Sequence, residues 1–241
     1  KLNVPIALMN GVVIYNTSTF EYEKVEALCD KTTEKIIDIL KNCGINALMY
    51  TISENRLNTY YESLTSKALQ EFVDERIKKY NKTFEKVESL TDKINGREKT
   101  IYFTLLDKYE PLQMVHGLLK DLPDIELSLY KDVYSENIYL LEIYSSNASK
   151  YNAVESLRRN SNFDEVIGFG DNYNAIPMIQ ACNQYYAAHN AAWELTQLST
   201  GVIECSQSDG VLKLVAFREH NYYLSHYHHH SNCCALRAKC L

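Results

Sequence analysis

Apolar positions along this chain follow two rhythms, and the rhythms alternate. Between residues 30 and 43, Ile36, Ile37 and Leu40 form a helical stripe, with Asp30 placed to cap the start and Gly44 to end it. A second stripe, Leu69, Phe72, Val73 and Ile77, predicts a helix over 66–80. Shorter helical patterns fall at 111–119 and 151–159. Period-two or continuous apolar runs predict strands at 46–52, 57–61, 100–106, 125–130, 137–144 and 166–169. Residues 4–15 read as two strands about Asn10-Gly11, a strong short hairpin signal. The charged stretch 81–99 reads as a short helix and loop. Strands alternating with helices throughout predict an α/β architecture.

One segment carries most of the candidate chemistry, Glu165-Val166-Ile167-Gly168-Phe169-Gly170-Asp171-Asn172-Tyr173-Asn174-Ala175-Ile176-Pro177-Met178. A buried strand ends at Gly170, a carboxylate follows, and a helical pattern begins near Asn174. Open α/β sheets bind ligands at the carboxyl ends of their strands. A helix start also offers free N–H groups to an anion. The segment is therefore readable as a metal and phosphate site, or as an ordinary strand–helix turn capped by Asn174. Upstream, Ser149-Lys150 opens a helix. A cation in a first helical turn opposes the helix dipole unless an anion is near, which favours a functional Lys150.

The chain has 241 residues, a net charge of −6 and 46% hydrophobic residues. It can bury a sizeable core, and its acidity disfavours nucleic acid as a partner. No apolar run reaches the length of a membrane span, and Lys1-Leu2-Asn3-Val4-Pro5 lacks the basic head and apolar core of a signal peptide, so the expected location is cytoplasmic. Seven cysteines, an odd number without a Cys-x-x-Cys pair, fit a reducing compartment; Cys29, Cys43 and Cys182 read as small core residues. The 19 tyrosines read as half-buried sheet residues. There is no Gly-x-Ser-x-Gly, Walker loop or Gly-x-Gly-x-x-Gly.

Taken in order, Asn10-Gly11, Ser149-Lys150, the Gly170-Asp171-Asn172-Tyr173-Asn174 loop with Met178, Ala187-Ala188-His189-Asn190-Ala191 and Asp209-Gly210-Val211 resemble the Cof-type branch of the haloacid dehalogenase superfamily. The resemblance covers about residues 1–215. It implies a Rossmann-like parallel core with an inserted α/β cap. The core pieces are expected at 1–20 and 142–215, the cap at 21–141, and a His/Cys-containing tail at 216–241. It also implies a Mg²⁺-dependent phosphatase of sugar phosphates or similar small phosphorylated metabolites. Asp171 matches the metal-binding Asp, with Asn172 beside it. Lys150 matches the lysine that offsets phosphoryl charge, and Asn174 the loop Asn that donates to phosphate.

The chain departs from that pattern. It contains no Asp-x-Asp, the family's nucleophile motif, and the motif's place before the hairpin falls ahead of Lys1. Ala175 stands where the family has a second acid, Asn172 and Tyr151 where it has glycines. The expectation is that this polypeptide is inactive alone, as a fragment or as a non-catalytic relative binding a phosphorylated ligand or a protein. An incomplete sheet would leave Val166, Ile167 and Phe169 partly exposed, so self-association is expected. The tail, with His226, His228, His229, His230, Cys233, Cys234 and Cys240, matches no common zinc spacing and reads as an exposed, poorly ordered end.

Overall fold

A computed structural model describes residues 4–132, 137–161, 163–171 and 175–225. In chain order the elements are β1 (Pro5–Leu8), β2 (Val13–Asn16), β3 (Glu21–Val25), α1 (Asp30–Cys43), β4 (Leu48–Ser53), β5 (Arg56–Tyr61), α2 (Lys67–Tyr80), β6 (Glu85–Lys86), β7 (Lys99–Asp107), α3 (Tyr109–Leu119), β8 (Ile125–Lys131) and β9 (Tyr139–Ser145). Then follow α4 (Lys150–Ser161), β10 (Ile167–Gly170), α5 (Ile176–Ile179), β11 (Gln184–Ala188), α6 (Trp193–Leu198), β12 (Gly201–Ile203) and α7 (Gly210–Ser225). They form two compact units, one of residues 1–4 and 12–148, the other of residues 5–11 and 149–241.

The first unit is built on a six-stranded sheet of order β6-β5-β4-β7-β9-β8. Its pairings are antiparallel except β5 with β6. The apolar stripe of α1 (Ile36, Ile37, Leu40) and that of α3 (Leu112, Val115, Leu119) pack on Met49, Phe103, Leu105, Leu141 and Ile143. Every residue of that set is at most 3% exposed, so each helix buries its whole stripe at the favourable cost per area of apolar burial. The helix ends follow from local chemistry. Gly44 leaves α1 in the left-handed region (φ 66) and returns its N–H to Leu40 and Lys41. The Ser66 side chain caps α2, and Asn81 ends it with φ 52. Asp30 is the first helical residue of α1, not its cap; Cys29 holds that position without a side-chain cap bond.

β2 and β3 pair antiparallel, with an irregularity between Ile14 and Tyr15. The expected Asn10-Gly11 turn is longer than two residues: Met9, Asn10 and Gly11 form a short 3-10 segment, all with positive φ. In the second unit β10, β11 and β12 form a parallel sheet in that order. Ala175, Met178, Tyr185, Ala187 and Leu195 make its core, joined by Val154 of α4. The fold is mixed α/β.

Two expectations change. Cys29 is exposed and Cys182 lies in the loop after α5, so only Cys43 of the three sits in a helix. The ordered chain does not stop at residue 215, since α7 continues to Ser225. Its continuation is held by Arg218, which donates to Gln184 Oε1 at 2.5 Å and to both Glu165 oxygens at 2.9 and 3.2 Å. The rest of the expected tail, with its histidines and last three cysteines, lies outside the described residues.

Candidate functional site

Asp171 immediately follows β10, at the carboxyl end of the parallel sheet, and its residue is exposed. Its position is fixed from two sides. The Asp171 carbonyl accepts from the Ala192 N–H at 3.1 Å, which ties the loop after β10 to the loop after β11. Behind it, Gly170 has no room for a side chain: a Cβ there would meet the Tyr185 hydroxyl and lie 2.9 Å from the Ala175 Cβ. Gly168 is equally confined, since a Cβ would come within 2.6 Å of the Cys182 sulfur and 2.8 Å of the Tyr185 ring. The two glycines let β10 lie tight on β11 and aim the next residue, a carboxylate, out of the sheet end.

Lys150 is the first residue of α4 and is half-buried. Ser149 before it caps the helix twice, its carbonyl accepting from Ala153 N at 2.9 Å and its hydroxyl from Asn152 N at 3.0 Å. One turn along, Val154 packs into the core that holds Met178 and Ala175, the first described residue after Asp171. α4, which carries Lys150, therefore shares one apolar core with α5, after the Asp171 loop, and with β11, the strand paired to β10, all in one unit. The remaining candidates, Asn172 and Asn174, lie outside the described residues.

One expectation about this loop is corrected. The helix expected from Asn174 is a single turn, Ile176–Ile179, with Ala175 at its N-cap and no side-chain cap bond. One turn carries little of the aligned dipole that makes a helix start attractive to anions. Ala175 itself is 3% exposed in a cluster with Met178, Tyr185 and Leu195, so an acid at this position would carry a desolvation cost. At the next helix Ala192 holds the N-cap position, and Asn190 is exposed beside the exposed His189.

Mg²⁺ takes hard oxygen ligands, commonly one or two carboxylates with water and phosphate oxygens. Asp171 fits as one such ligand. Among the described residues no group of three or more His, Cys, Asp or Glu side chains is arranged to hold a metal.

Sequence reading missed a polar aromatic row in the first unit. Tyr50, Tyr102 and Tyr144 stand side by side across β4, β7 and β9. Tyr102 and Tyr144 stack at 5.2 Å, and Tyr50 meets Tyr102 edge-on at 6.1 Å. Burial and then the Glu142 carboxylate push the Tyr102 and Tyr130 hydroxyls well above their ordinary range, and burial pushes Tyr50 up to about 12. The signal was present, since each tyrosine alternates with core residues along its strand.

The sequence matches the haloacid dehalogenase-like hydrolase family over residues 1–215. It matches none of the curated proteins. Among solved structures, a haloacid dehalogenase-like hydrolase from Bacteroides thetaiotaomicron superposes with a TM-score of 0.70 at 18% identity, over 89% of this chain and 76% of that one. A haloacid dehalogenase-like hydrolase from B. subtilis gives 0.66 at 17% identity, over 87% and 78%. A subclass IIB sugar phosphatase of the same superfamily gives 0.65 at 14% identity, over 89% and 75%. These likenesses concern the fold. With a family match that spans most of the sequence, the chain belongs to the haloacid dehalogenase-like hydrolases.

Proposed function

We propose that this chain is a Cof-type phosphatase relative that holds the phosphoryl group of a sugar phosphate or similar small metabolite. Residues 1–20 and 142–215 serve as the phosphate-holding core and residues 21–141 as the cap. The reading is supported by one observation: a carboxylate directly after a parallel strand, Asp171, and a cation at a helix start, Lys150, lie in one compact unit, where α4 packs on the core built by α5 and by β11, the partner strand of β10. Lys150 offsets phosphoryl charge, and the phosphate relieves the lysine's conflict with the helix dipole. Asn174 donates to phosphate oxygens, and Asn172 adds a carbonyl beside Asp171. Asp171 would hold Mg²⁺, which when bound neutralises charge on the phosphoryl oxygens. The sugar phosphatase likeness supports the substrate class.

Phosphoryl transfer of this type needs a carboxylate nucleophile, and no Asp-x-Asp stands among the 241 residues. The polypeptide as it stands is therefore expected to bind phosphate and not to turn it over. The buried Ala175 favours a second reading, a non-catalytic relative that recognises a phosphorylated ligand or a protein partner. Hydrolysis of p-nitrophenyl phosphate and of sugar phosphates with Mg²⁺ tests this account. Rates at background are expected. Robust turnover that disappears in Asp171→Ala would show that a nucleophile outside the family motif is at work.

A further inference from the structure

We infer that Gly11 is a positioning residue for Lys150, on the reading of Lys150 as the phosphate-facing cation. Gly11 is buried in the short 3-10 segment that packs, with β1, against α4. Its φ is +89, a conformation that residues with a side chain rarely adopt. A Cβ at this position would collide with the Ser149 carbonyl oxygen, lie 2.9 Å from the carbonyl carbon and 3.1 Å from the Ala153 Cβ. The obstacle is backbone, so no rotamer change relieves it. Ser149 is the residue whose carbonyl and hydroxyl start α4, and Lys150 is the next residue. Anything that pushes Ser149 therefore moves the first turn of α4 and the lysine on it. The glycine sets how deep the helix start sits, and with it where the ammonium is presented.

Titration of the full chain with inorganic phosphate, in Mg²⁺ and followed by calorimetry, separates this role from a merely structural one. Lys150→Ala is expected to weaken phosphate binding about tenfold or more, the scale of a charge-assisted hydrogen bond. Gly11→Ala is expected to weaken it by several-fold. In the Lys150→Ala background, Gly11→Ala should then have no further effect, because it acts through the missing ammonium. Equal losses in both backgrounds, or no loss in either, would overturn the inference while leaving Lys150 in place. An unchanged affinity in Lys150→Ala would instead remove the reading on which it rests. Should Gly11→Ala fail to fold, Ala153→Val crowds the same contact from the helix side and is expected to show the same dependence on Lys150.

Discussion

Lys82 shows how far a single residue's chemistry depends on its surroundings. Its ammonium lies 4.5 Å from the Tyr50 ring and 5.1 Å from the Phe84 ring. Burial, with the nearby Arg76 guanidinium, lowers its pKa from 10.5 to about 8. The folded chain thus holds this proton less tightly than the unfolded chain. The penalty is complete below about pH 8 and is relieved as pH rises towards the unfolded value, so stability from this residue increases with pH. Burial raises the Cys182 thiol to about 11 and opposes the trend above about pH 9. Guanidinium midpoints between about pH 7.5 and pH 9 should therefore rise in the native chain and rise less in Lys82→Met. Identical slopes in the two proteins would contradict the assignment. None of this was legible in the sequence, where Lys82 sits in a charged stretch. The strand end before Asp171 and the helix start at Lys150 were legible, because a glycine turn after an apolar run and a capped helix start are local patterns. Gly11 stood in plain view as a turn signal, but its packing against Ser149 joins residues 138 positions apart in the sequence and has no local trace.

At the scale of elements, most helices and strands of the first unit fall where the apolar rhythm put them, because each has a full stripe or face to bury. The second unit was less legible. β11 and β12 are short, and α5 is one turn, so propensity and periodicity have too few residues to register. β3 escaped for a different reason: its sequence, Glu21-Tyr22-Glu23-Lys24-Val25, is mostly charged and forms by pairing with β2. α7 ran past the expected end because its anchor is polar, the Arg218 contacts to Glu165 and Gln184. Those groups are partly exposed, with side-chain exposures of 30% for Arg218 and 45% for Glu165, so the contact is worth about 1 kcal/mol. Arg218→Ala should speed amide exchange in α7 roughly fivefold while leaving β10 and β11 protected. Uniform acceleration across the second unit would mean that Arg218 holds the sheet as well as the helix.

At the scale of the whole molecule, β10 is an edge of the parallel sheet among the described residues, where it pairs with β11. Val166 is buried at 6%, contrary to the expectation that it would be partly exposed, whereas Ile167 and Phe169 remain half-buried. An open edge of this kind recruits further strands. Light scattering is expected to show a mass that rises with concentration, and Ile167→Lys should suppress the rise. A monomer at every concentration would show that the edge is already covered. The central claim is that Lys150 and Asp171 belong to one phosphate and metal site. Its most direct measurement uses Mn²⁺ in place of Mg²⁺, with inorganic phosphate present, and follows the NMR signals of ¹³C-methylated lysines in the full chain. The Lys150 signal is expected to broaden first and most, and Asp171→Asn should abolish the effect. A Lys150 signal that stays sharp while Mn²⁺ binds through Asp171 would contradict the account.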